Sequence, residues 1–174
     1  MRKLKFIPAL LIVSVLTLAF TSVIQTYKIG SKHEVKFDSK DASGIFSELS
    51  GDIDFDSKDL TKSKFNLKIG VASINTGNAL QNKHAKSDKW FDAEKYPNIT
   101  FTSSKVEKTD QGYKTTGTLE IRGIKKNTSI PFTFKNNAFN AKFSVDRNDF
   151  NIGKPTAEVA NIIKIDATIP VTKK

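Results

Sequence analysis

At 174 residues the chain has the length of about one domain, and 38% apolar against 26% charged residues excludes wholesale disorder. With no cysteine it has no disulfide, no thiol chemistry and no lipid-modified N-terminal cysteine, and with two histidines it lacks the commonest ligands of a structural zinc site. The net charge of +10 comes from basic residues spread along the chain, which excludes an electrostatic stripe for nucleic acid and leaves a basic surface suited to weak contact with a membrane.

Arg2, Lys3 and Lys5 precede an apolar run of 15 residues, 6–20, interrupted by Pro8 and followed by Thr21 and Ser22. A basic start and a short apolar stretch describe a secretory signal, and the run falls short of the roughly 20 apolar residues of a membrane span. The expectation is a signal peptide over 1–22 and one mature domain over 23–174, periplasmic or secreted. Loss of the three leader cations lowers the net charge from +10 to +7.

From residue 25 onward the dominant period is two, the period of a half-buried strand. A first strand near 33–38 points Val35 and Phe37 one way. "GDIDFDS" sets Ile53 and Phe55 against three aspartates, and "KFNLKIGV" sets Phe65, Leu67, Ile69 and Val71 against Lys64, Asn66 and Lys68. Residues 75–97 break the pattern: Asn78 is placed to cap a helix, Ser87 to cap a second short turn, and Pro97 ends the connection. Strands then resume, with Ile99 and Phe101, Leu119 and Ile121, Ile130, Phe132 and Phe134, Phe139 to Val145, and Ile163 to Ile169 on their apolar faces. Pro131, inside one of these strands, calls for an edge or a place where its missing N–H faces no ladder.

"DASG", "TDQG", "RGIKKN", "KNN" and "NIGKP" are turn formers between these runs. Eight or so one-faced strands with short turns form an antiparallel meander, either a sandwich or a closed barrel. The 11 phenylalanines left without Phe6 and Phe20 favour a barrel, since eight strands enclose a space that side chains fill or that holds one small ligand.

"SINTGNALQNKHAKSDKWFDAEKYPNITFTSS", "GTLEIRGIKKNTSIPFTF", "VDRNDFNIG" and "VANIIKIDATI" together resemble, in order, the motifs of the YceI-like family. The likeness covers about 27–171. It implies an all-β, extended antiparallel, lipocalin-like eight-stranded barrel with a short helical connection closing one side. It also implies export and the holding of an elongated lipid-like molecule, such as an isoprenoid quinone or polyprenyl chain. Ala85 and Trp90 replace residues that the family commonly has as leucine and phenylalanine.

The expected pocket residues are Phe37, Phe55, Phe65, Leu67, Ile69, Phe101, Leu119, Ile121, Phe132, Phe134, Phe143 and Ile165, with Trp90 and Phe91 as a lid. No cofactor beyond the bound lipid, no metal and no catalytic residue is expected, and the sequence allows a homodimer without requiring one. His84, Asp88 and Asp92, four apart, would share a face only on an unbroken helix, so His84 is read as a hydrogen-bonding clip. Arg147 in "DRND" is expected to pair with a neighbouring carboxylate. The alternative is a structural or surface-interaction protein with a filled barrel and a basic exterior.

Overall fold

The alternation closes into a continuous sheet in the computed structural model, which describes residues 24–155 and 159–174. The expected leader lies outside these residues. The strands are β1 (Thr26–Ile29), β2 (Glu34–Asp38), β3 (Ser43–Phe46), β4 (Leu49–Asp54), β5 (Lys64–Gly70), β6 (Ile74–Asn75), β7 (Asn98–Thr109), β8 (Gly112–Ile121), β9 (Ile124–Lys135), β10 (Ala138–Asp146) and β11 (Ile162–Lys173), with one helix, α1 (Ala79–Lys86). All pairings are antiparallel, in the order β1-β4-β5-β7-β8-β9-β10-β11, and β11 closes back on β1 with Ile29 opposite Val171. Eight staves therefore form a closed barrel.

The remaining strands extend three of those staves. β2 follows β1 along the same edge of β11, Val35 opposite Ala167; β3 pairs with β2, and β6 with β3. Thus β1/β2, β3/β4 and β5/β6 are long staves, each broken by two to four residues at a similar height. At the breaks other contacts replace the ladder. Gly30 N–H donates to the Pro170 carbonyl at 2.7 Å, Gly70 N–H to Glu48 at 3.2 Å, and the His33 ring lies 2.8 Å from the Gly30 carbonyl and 3.0 Å from that of Ser47. Both His33 contacts are hydrogen bonds at once only when the ring carries both protons.

The turns are tighter than their sequences suggest. Arg122 and Gly123 have φ of 53° and 72°, and Asn136 and Asn137 have 52° and 55°. Two-residue turns of this hand match the strand twist, so β9 already begins at Ile124. The ladder between β9 and β10 ends at Phe132 opposite Ala141, one residue from Pro131, which therefore interrupts no pairing on that side.

Asn78 caps α1 as expected, its side-chain oxygen accepting from the Leu80 and Gln81 N–H groups at 2.9 and 3.1 Å. The second short helix does not form. The Ser87 hydroxyl donates to the His84 carbonyl at 2.7 Å and so ends α1, and turns carry the chain from there to Pro97. Among the described residues no helix is long and apolar enough to cross a membrane.

Candidate functional site

Inward-facing side chains close one end of the barrel and leave the rest hollow. At the closed end Phe55, 1% exposed, meets the rings of Phe65, Tyr113, Phe132, Phe134 and Phe139 at centroid distances of 5.1 to 6.4 Å. Most of these pairs are edge-to-face, the arrangement the ring quadrupoles prefer. Tyr27 packs on Phe134 and Phe139, and burial, followed by the nearby Asp56 carboxylate, raises its phenol pKa above the usual tyrosine value.

Above this plug lies a cavity of about 160 Å³, walled by aliphatic and aromatic side chains from every stave. Its polar lining residues are Thr100 and Thr115, and the Thr115 hydroxyl donates to the Lys105 carbonyl at the bulge between Ser103 and Lys105. A second cavity, of about 340 Å³, lies toward the mouth and shares Phe46, Ile99, Ile121, Val145 and Ile165 with the first. The two lie end to end, with these five side chains as their common wall. At the roughly 30 Å³ that a water occupies in the liquid, the deep part has room for about five such bodies and the mouth for about eleven more. The filled-barrel expectation does not hold.

The helical connection covers the mouth. Phe91 meets Phe46 edge-on at 6.0 Å, and Trp90 lies against Gly153, where a Cβ would come within 3.0 Å of the indole. Arg122 ties this cover to the barrel, its guanidinium donating to the Asp88 carbonyl at 2.7 Å and to that of Asn151. Gly153 N–H adds a bond to the Lys89 carbonyl at 3.0 Å.

Phe65, Leu67, Ile69, Phe101, Leu119, Phe132 and Phe143 line the deep cavity, Ile121 and Ile165 line both parts, and Phe37, Trp90 and Phe91 line the mouth. Phe55 and Phe134 line neither, because they face inward at the height of the plug. Sequence reasoning missed Val35, Ala141, Val145 and Ala167, which occupy inward positions of recognised strands, and Phe46 on the unrecognised β3. It also missed the polar rim of Ser39, Asp41, Thr76 and Gln81, which sits on loops and a helix start that carry no period-two signal.

Three expectations are corrected. The His84 ring lines the mouth and makes no hydrogen bond to any described residue, so it is no clip. Asp92 has φ of 51°, past the end of α1, so His84, Asp88 and Asp92 share no helical face, and no group of metal-ligating side chains forms among the described residues. Arg147, 2% exposed, meets no carboxylate among the described residues: its N–H groups donate to the carbonyls of Ala160, Ile152, Lys154 and Val159 and to Asn161 Oδ1, at 2.8 to 3.3 Å. The side chain ties Ile152, Lys154, Val159, Ala160 and Asn161 into one wall of the mouth.

Known proteins share this architecture. Protein YceI of Escherichia coli O17:K52:H18 is 31% identical over 137 residues, 71% of this chain and 72% of that one. The crystal structure of Burkholderia cenocepacia BcnA superposes with a TM-score of 0.77 at 28% identity, over 83% of this chain and 99% of that chain. A polyisoprenoid binding domain from Saccharophagus degradans, implicated in plant cell wall breakdown, has the same fold with a TM-score of 0.60 at 14% identity, over 85% and 98% of the two chains. The profile of the YceI-like domain matches residues 23–171. The hollow eight-stave barrel, the capped connection over its mouth and this match along nearly the whole described chain lead to one assignment: the protein belongs to the YceI-like domain family.

Proposed function

We propose that the protein is an exported carrier that holds one elongated lipid-like molecule, of isoprenoid or similar type, along the barrel axis and performs no chemistry on it. The observation that carries this reading is the pair of adjoining cavities along the barrel, whose deep member has an almost wholly apolar wall. The fold shared with a domain named for polyisoprenoid binding adds support, and the basic, apolar start of the chain supports export.

Magnitudes select for length. At about 0.8 kcal/mol per buried methylene, the roughly five or six methylenes that about 160 Å³ holds contribute about 4–5 kcal/mol, at the low end of the roughly 4–15 kcal/mol lost on association. A short tail therefore binds weakly, and a tail that also fills the mouth binds tightly. An isoprenoid quinone or a polyprenyl chain has the required length.

Native mass spectrometry of the protein, extracted gently from its source, tests the reading. A co-purifying mass of several hundred daltons, released on denaturation, is expected, and a clean apo mass that fails to take up a long-chain isoprenoid overturns it. The intact mass of the same sample reports whether the leader has been removed.

A further inference from the structure

Given that carrier reading, we propose that the mouth selects the head of the ligand, favouring a neutral hydrogen-bonding group such as an alcohol, amide or quinone carbonyl over a phosphate or carboxylate on the same tail. The polar side chains of the cavity gather at one end. In the deep part the Thr115 hydroxyl is already engaged with the Lys105 carbonyl, whereas the mouth presents Ser39, Asp41, Thr76, Gln81, His84 and Arg147. An amphiphile therefore enters tail first and leaves its head among these six.

Which of them remain open decides the chemistry. The Ser39 hydroxyl donates to the Ala42 carbonyl, and that of Thr76 contacts Asn82 Oδ1 at 2.8 Å. Arg147, the cation of the mouth wall, has its donors directed at four carbonyls and one amide oxygen and offers an incoming anion no fork of N–H groups. Its charge is also balanced across one residue: Nε donates to the Ala160 carbonyl at 3.0 Å, while the Ala160 N–H donates to Asp41 Oδ2 at 2.6 Å. Among the described residues three of these groups stay open. They are the second oxygen of Asp41 and, three residues apart on α1, the Gln81 amide and the His84 ring, whose side chains bond to no described residue.

That set offers a donor and an acceptor to a hydroxyl or amide, and a donor to a quinone oxygen. To an anion it offers the Asp41 carboxylate and, with every Arg147 donor engaged, no guanidinium fork. A phosphate held there meets the Asp41 carboxylate without charge-assisted hydrogen bonds to offset the repulsion, which disfavours it.

The test uses the full mature chain and three probes with one isoprenoid tail: the hydrocarbon, the alcohol and the monophosphate. Trp90, the single tryptophan, lines the mouth and reports occupancy by fluorescence. The alcohol is expected to bind on the order of tenfold tighter than the monophosphate at low salt. Asp41→Asn is expected to narrow that gap by strengthening the phosphate alone. Gln81→Ala combined with His84→Ala is expected to weaken the alcohol several-fold and to leave the hydrocarbon unchanged. Equal or tighter binding of the monophosphate, or a gap indifferent to Asp41, overturns the head assignment while hydrocarbon binding still upholds the carrier. Failure of all three probes overturns both.

Discussion

Replacing Arg147 by lysine keeps the charge and removes the fork, so it isolates what the guanidinium geometry does. Five contacts, to the carbonyls of Ile152 at 2.8 Å, Ala160 at 3.0 Å, Lys154 at 3.1 Å and Val159 at 3.3 Å and to Asn161 Oδ1 at 3.1 Å, converge on one side chain that is 2% exposed. An ammonium has three donors on a single atom and cannot reach all five acceptors. At least two lose their partner, each at about 1–3 kcal/mol, so the variant should be less stable by about 2–6 kcal/mol. Urea unfolding followed by the fluorescence of Trp90, which rests against Gly153 in the same wall, measures the loss. Hydrogen exchange in residues 151–155 and 159–161 should accelerate before exchange in β7 and β8 does, because the lost bonds belong to the wall and not to the ladder. A variant within about 1 kcal/mol of the parent, or exchange that accelerates evenly over the barrel, would refute the view that Arg147 organises the mouth.

Phe55→Ala should lower stability by about 3–5 kcal/mol, since it removes a ring packed on five others at the plug. The same change lengthens the cavity, so competition among tails of graded length should shift toward longer ones, and an unshifted preference would mean that the plug does not set the length. Gly51→Ala should cost about 2 kcal/mol or more in thermal unfolding, because φ is 125° there and a Cβ would lie 2.0 Å from the Asn66 carbonyl oxygen; a loss under 0.5 kcal/mol, on the order of an ordinary surface substitution, contradicts this. The Tyr27 phenol, with its pKa raised above 10.0 by burial and then by Asp56, favours its neutral form in the fold. Its contribution is present in full below the unfolded pKa and is lost as pH climbs through the folded one, so Tyr27→Phe should flatten the alkaline limb of the stability curve, and an unchanged limb would count against it.

The barrel was legible because the face a strand residue occupies depends only on parity, and parity is written in the sequence. Phe65, Leu67 and Ile69 alternate with Lys64, Asn66 and Lys68, and all three line the deep cavity. Height along the axis is another matter, since it depends on register between staves. Phe55 and Phe65 are equally inward by parity, yet Phe55 sits in the plug while Phe65 reaches the cavity floor. The breaks at 30–33 and 47–48 hid β1 and β3, because alternation over four residues carries little signal and "DASG" reads as a turn although Ser43 and Gly44 belong to a strand. The expected ion pair of Arg147 is absent among the described residues for a related reason. Neighbours in sequence supplied the carboxylates, whereas the fold brought in Ala160 and Asn161, 13 and 14 residues away.

A ring of eight staves is just wide enough for side chains to fill, so a hollow one needs small residues at mid-height. Here they come as a row: Ala141 on β10 lies opposite Ala167 on β11, which lies opposite Val35 on β2, and all three face the deep cavity. Larger aliphatic residues in that row would gain buried surface at about 0.8 kcal/mol per methylene, so the present ones keep space open at the expense of stability. The paired change Ala141→Leu and Ala167→Leu should therefore move the two properties in opposite directions. Stability should rise by up to about 2 kcal/mol per site where the new methyls fit the void, and uptake of a long apolar tail should be lost. Stability falling by several kcal/mol along with uptake would mean that the row is already close-packed, and the cavity would then not be the binding site.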